Sequence, residues 1–152
     1  MMSFAFSAMV QVSLLTTGAN TYADAHKQHV DTGRPMVLLV GAEWCPACVQ
    51  MKNNIMPRVA KQGVLEKVAF AHVNTDRDGR VAKAVMQGGM IPQLIMYRKT
   101  PNGWRRHLLM GAQSPEKIQA FIKQGLALDE ADALAASKAN QTNSVSYQKS
   151  SE

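Results

Sequence analysis

The sequence predicts an α/β domain in which helices cover both faces of a central mixed β-sheet. Three observations predict it. Short apolar runs alternate with segments of helical periodicity. A single Asn-Gly signal sets two of the apolar runs in a hairpin. A chain of 152 residues, 46% hydrophobic and 18% charged, is long enough to bury one core without cross-links.

The elements follow in order. "TYADAHKQHVDTGRP" places Tyr22, Ala25 or His26, and His29 or Val30 on one side of a short helix, stopped by Gly33 and Pro35. "MVLLV" is an unbroken apolar run, the mark of a strand buried on both faces. From Pro46 to Met56, Val49, Lys52, Ile55 and Met56 fall on one helical face, and Pro57 is expected to interrupt or kink the helix. "KVAFAHVNTD" reads as a second strand, "RDGRVAKAVMQ" as a short helix and "PQLIMYR" as a third strand. Asn102-Gly103 turns the chain into a fourth strand, "WRRHLLMG". Ser114 and Pro115 form the cap and first position of a last helix, with Ile118, Phe121, Ile122 and Leu126 on its apolar side. The domain is expected to span residues 20–126.

Both ends look dispensable. Residues 1–19 carry no charged side chain, and the run Phe4 to Leu15 has the length of a signal-peptide apolar region, too short to span a membrane. Thr17-Gly18-Ala19 supplies small residues for cleavage, although no Lys or Arg precedes the apolar run. The segment is read as a signal peptide or N-terminal extension. The protein is then periplasmic or otherwise exported, and cytoplasmic if 1–19 is not a signal. Residues 127–152 end in the polar "SKANQTNSVSYQKSSE" and are expected to form a largely disordered tail.

The formal net charge of +6 is spread along the chain, the densest basic groups being the pairs Arg98-Lys99 and Arg105-Arg106. No basic run or aromatic-rich strand suggests a nucleic-acid surface. A solvated basic surface, open to acidic partner proteins, is the expectation. The ten methionines form no close M-x-M cluster, and Met51, Met56, Met86, Met90, Met96 and Met110 are expected to fill the core.

Chemistry concentrates in "EWCPAC", residues 43–48, which holds both cysteines of the chain. A disulfide across so short a loop removes little freedom from the unfolded chain, so a structural staple is the weak reading. Structural zinc needs four ligands, and no second Cys pair exists; His26, His29, His72 and His107 are scattered. No metal is expected. A redox pair gains a mechanism from its place between a buried strand and a helix start. Unpaired N–H groups there favour a thiolate at Cys45, Pro46 suits the first helical position, and Cys48 sits one turn deeper. Cys45 is then the attacking sulfur and Cys48 the resolving one.

These residues resemble the active site of the thioredoxin superfamily, with Trp44-Cys45-Pro46-Ala47-Cys48 in place of the commoner WCGPC. The resemblance continues over about residues 20–126. Ile91-Pro92 is similar to the family's "IPT" segment, where the proline bond is cis and lies against the cysteines. Asn74-Thr75-Asp76 resembles its strand-ending "NxD", and Gly111-Ala112 its "GA" turn. The early helix followed by "GRPMVLLVGAEWC" looks most like the exported branch. The resemblance implies a thioredoxin-like fold and a thiol-disulfide oxidoreductase with no bound cofactor. It implies substrate proteins with thiols or disulfides, a redox donor or acceptor protein, and a monomer. Trp44, Pro46, Ala47, Ile91, Pro92 and His72 are the expected substrate-binding or redox-tuning residues around Cys45 and Cys48.

Three positions depart from the family pattern. The family's buried acid falls on Leu39, so Cys48 needs another proton route. Its nearby lysine falls on His72, which offers a group titrating near neutrality. Pro-Ala replaces Gly-Pro between the cysteines. Glu43 is expected to be a solvated charge. Two function classes follow: an oxidoreductase, more a reductase than an oxidase, or a non-enzymatic binding module using the Trp44 and Pro92 surface with the Cys pair as a redox-sensitive latch. Loss of Cys48 should trap an enzyme as mixed disulfides and leave a binder working.

Overall fold

A computed structural model describes residues 21–148, with side chains as far as Asn140. The segment 1–19 and the last four residues lie outside the described part. Helix α1 (Tyr22–Thr32) opens on a reciprocal cap, in which Asp24 N–H donates to Thr21 Oγ1 and Thr21 N–H to Asp24 Oδ2, each at 3.2 Å. Gly33, at φ 72°, closes it in the left-handed conformation that glycine tolerates best.

Strand β1 (Met36–Gly41) is central. It pairs in parallel with β2 (Ala69–Asn74) and antiparallel with β3 (Gln93–Thr100), and β3 pairs antiparallel with the edge strand β4 (Gly103–Met110), giving the order β2-β1-β3-β4. This position explains the unbroken apolar run, because β1 has a strand on each side and helices above and below. Alternation divides the core in two. Val37 and Leu39, with Leu94 and Met96, face Met51, Met56, Val59, Ile118 and Ile122. Met36, Leu38 and Val40, with Ala69, Ala71, Val73 and Ile95, face Ala25 of α1 and Ala82 and Val85 of α4 (Gly79–Val85). In the hairpin Thr100 pairs with Gly103, at φ 101°, so Pro101 and Asn102 form the connection.

One expectation about helices is refined and one corrected. The helix that starts at Pro46 is interrupted just before Pro57 and then continues. It runs as α2 (Pro46–Gln50), a π-helical turn (Met51–Ile55) and α3 (Met56–Lys61). The wider turn lets Met56 N–H reach Met51 O, five residues back, and leaves Pro57 in a first-turn position where its missing N–H is not needed. The last helix, α5, covers Pro115–Gln148, so residues 127–148 are helical and not a disordered tail. Ser114 caps it as expected, accepting Lys117 N–H at Oγ and Ile118 N–H at O. Two things outweigh the polar composition of the extension: strong helix formers in "LALDEADALAA", and Arg98 of β3. Arg98 is 4% exposed and pairs with Asp132 at 2.9 Å and Asp129 at 3.9 Å. Met51, Met56 and Met96 fill the core as expected, but Met90 and Met110 are exposed at 60% and 42%. Both lie in or next to loops at the end of the sheet that carries the cysteines.

Candidate active site

At the end of β1 the chain turns through Ala42, Glu43 and Trp44, and Cys45 takes the N-cap of α2. Its backbone is extended, at φ −94° and ψ 109°, and its Sγ accepts Cys48 N–H at 3.2 Å. Pro46 begins the helix, where it sacrifices no hydrogen bond. One turn brings Cys48 back to Cys45. The two are joined in a disulfide with a Cα–Cα distance of 5.2 Å. Cys45 is 7% exposed and Cys48 5%, a smaller asymmetry than the sequence suggests, because Ala42, Ala47 and Ile91 pack around both. Gly41 makes the geometry possible. A Cβ on it would lie 2.8 Å from Cys48 Cβ, closer than carbon atoms pack, and 3.1 Å from Cys48 Sγ, a tight contact. Sequence reasoning missed this residue; its one signal was a glycine ending an apolar strand just before the cysteines.

Two loops frame the disulfide. Asn74 Oδ1 accepts the N–H groups of Asp76 and Arg77, while Asp78 Oδ2 accepts Asn74 N–H. This turn places Asp76 Oδ2 to receive Trp44 Nε1–H at 3.0 Å, fixing a ring that stays 69% exposed beside the cysteines. On the other side, fully buried Gln93 holds the loop before β3. Its Oε1 accepts Gln87 N–H at 3.0 Å, and its Nε2 donates to Gln87 O at 2.8 Å and Met90 O at 2.7 Å. Beyond a polar residue in an apolar strand, nothing in the sequence signals this clamp. The loop ends in the Ile91-Pro92 peptide, which is cis. Ile91 packs on the cysteine cluster, and Pro92 O accepts Gly111 N–H at 2.8 Å. The fold thus gathers Trp44, Pro46, Ala47, Ile91, Pro92 and the Gly111 turn around one disulfide.

Behind Cys48 lies a cavity of about 30 Å³, lined by Leu39, Cys48, Lys52, His72 and Glu43 among others. That is room for roughly one or two waters. Leu39 is buried at its inner wall, paired across the sheet with His72. Burial pushes the His72 imidazole down to about 4, with Lys52 adding to the shift and Glu43 opposing it. The ring is therefore neutral at physiological pH, and the expectation of a group titrating near neutrality is corrected. Its edge packs against Phe70, with ring centroids 5.0 Å apart. Glu43 is exposed but not free, because Lys52 Nζ donates to its Oε1 at 2.7 Å and holds its carboxyl below the usual range. Among the described residues, no group of three or more His, Cys, Asp or Glu side chains is placed to hold a metal ion.

A closed C-x-x-C disulfide at a helix start, set against a proline loop on a mixed sheet, defines the chemistry of a thiol-disulfide oxidoreductase in general. The family model for thioredoxin matches residues 18–124, and the chain belongs to the thioredoxin family. No curated protein sequence matches it. Among solved structures, a thioredoxin from Thermus thermophilus is similar at a TM-score of 0.62 and 20% identity, over 73% of this chain and 88% of that one. Fasciola hepatica thioredoxin is 25% identical at a TM-score of 0.52, over 68% and 93%. Malassezia sympodialis thioredoxin is 28% identical at 0.50, over 68% and 87%. The four-stranded sheet with helices on both faces is the thioredoxin-like fold the sequence predicts.

Proposed function

We propose that the protein reduces disulfides in other proteins, with Cys45 as the attacking sulfur and Cys48 as the resolving one. In the reduced form, the Cys45 thiolate displaces one sulfur of a substrate disulfide and forms a mixed disulfide. Cys48, as thiolate, then attacks Cys45 Sγ and releases the second substrate sulfur. Two electrons pass from the dithiol to the substrate, and the two thiol protons end on the two substrate thiols. A dithiol donor protein returns the oxidised pair to the reduced state. Trp44, Ile91 and Pro92 form the rim against which the substrate chain lies.

The observation that carries the reading is the Cys45–Cys48 disulfide at the start of α2, with Cys48 N–H aimed at Cys45 Sγ. Its surroundings support the reducing direction. A strong oxidant needs a specially stabilised reduced form. Here Cys45 Sγ has the helix start and one N–H, while Lys52, the cation nearest in sequence, is engaged with Glu43. The charge-free segment 1–19 supports action outside the cytoplasm, where the protein would meet both a donor and its substrates.

Equilibration with glutathione buffers tests the direction. The expected potential lies nearer to about −270 mV than to about −120 mV, and a value above roughly −180 mV would favour an oxidase or isomerase. The Cys48→Ser variant tests the roles. It should accumulate mixed disulfides through Cys45, whereas Cys45→Ser should not; partner binding unchanged by either loss would mark a binding module instead.

A further inference from the structure

Beside the disulfide runs an open groove of about 770 Å³, lined by Trp44, Thr75, Arg80, Lys83, Met86 and Ile91 among others. Its volume is that of a site for a sizeable ligand. One wall is α4, which brings Arg80 and Lys83 to the groove on successive turns. The opposite wall is the Gly88-Gly89 loop, held in place by the buried Gln93. The groove ends at Trp44 and Ile91, both next to the cysteines.

The charges around it are unbalanced. Glu43 is paired with Lys52 and Asp78 lies 3.9 Å from Arg77, while Asp76, which accepts the Trp44 indole N–H, is not among the residues lining the groove. Arg80 and Lys83 are exposed, and among the described residues neither is paired with an acid. No acidic side chain lines the groove. Two unneutralised cations in a channel leading to a reactive sulfur favour an anionic chain laid along it, and they raise its encounter rate.

We propose that this groove selects substrate proteins whose reactive cysteine is flanked by acidic residues, with Arg80 and Lys83 reading the acidic segment. The inference rests on the oxidoreductase reading and names its substrate class.

The test is single-turnover reduction of peptide disulfides by the pre-reduced full chain. Two symmetric disulfide peptides are compared, identical except for two Glu or two Lys beside the cysteine, with neutral hydroxyethyl disulfide as the small control. The Glu peptide should react about tenfold or more faster than the Lys peptide at low salt, and the advantage should shrink as salt rises. Arg80→Glu with Lys83→Glu should abolish or invert the preference and leave the hydroxyethyl disulfide rate unchanged. Lys61→Glu with Lys123→Glu makes the same change in net charge at exposed sites outside the groove, and should keep the preference. Equal peptide rates with the small disulfide still reduced, or a preference lost equally in both double variants, would overturn the groove alone. Failure to reduce hydroxyethyl disulfide would overturn the oxidoreductase reading and the groove with it.

Discussion

Leu39 and His72 both line the small cavity behind Cys48. Leu39 puts an inert side chain on the inner wall of the cavity, and burial keeps the opposite imidazole uncharged. Since His72 is held near 4, against an ordinary value of 6.5, the unfolded chain binds more protons than the folded one between those values. The stability from the neutral ring is complete above about pH 6.5 and is lost as pH falls toward 4. Unfolding free energies should therefore drop by about 2 kcal/mol more in the natural protein than in His72→Gln between pH 7 and pH 4.5. Equal drops in a denaturant series would show that the ring is not held neutral. Leu39→Asp places a carboxyl in the cavity beside Cys48. It should speed decay of a trapped Cys45 mixed disulfide by about tenfold or more, at a cost of about 3 kcal/mol in stability. An unchanged decay rate would mean that water carries the proton without a fixed base.

At the scale of elements, the close contact between β1 and α2 is the exacting one. Gly41→Ala puts a methyl within 2.8 Å of Cys48 Cβ, so the strand or the helix must shift. The variant should lose about 1–3 kcal/mol and resolve mixed disulfides more slowly; denaturant unfolding and the same decay assay check both. How far such features could be read from the sequence depended on their range. Strands β1 and β3 were legible because their apolar runs directly reflect burial on both faces, and the exposed edge strand β4 because Asn102-Gly103 announces a hairpin. The cysteine pair was legible because its chemistry is local in the chain, whereas Thr75 and Asp76, read as the end of the second strand, belong to a turn held by the Asn74 and Asp78 side chains. The passage of the helix through Pro57 was not legible, because a π turn is an adjustment of hydrogen bonds that no residue type signals. Nor was the Gln93 clamp, since its partners are backbone atoms of a loop whose path only the fold defines. The extension of α5 was misread because its polar composition hid two acids that meet a buried arginine 31 and 34 residues earlier in the chain.

On the whole-molecule scale, that arginine ties α5 to the end of the sheet remote from the disulfide. Arg98 follows Tyr97, which pairs with Met36 at the start of β1, while Cys45 lies past the end of β1. Asp129→Asn with Asp132→Asn leaves a buried guanidinium without its counter-charges and should cost about 1–3 kcal/mol, discounted because both acids are partly exposed. Thermal unfolding would show it as a lower midpoint, and rates with hydroxyethyl disulfide should not change. Beyond Asp132 the helix continues to Gln148, about 24 Å at about 1.5 Å per residue, and among residues 133 to 140 all but Ala136 are exposed. The molecule therefore has a working pole and a handle at the opposite pole. Attached to a solid support through a residue late in α5, it would stand with its cysteine pair facing outward.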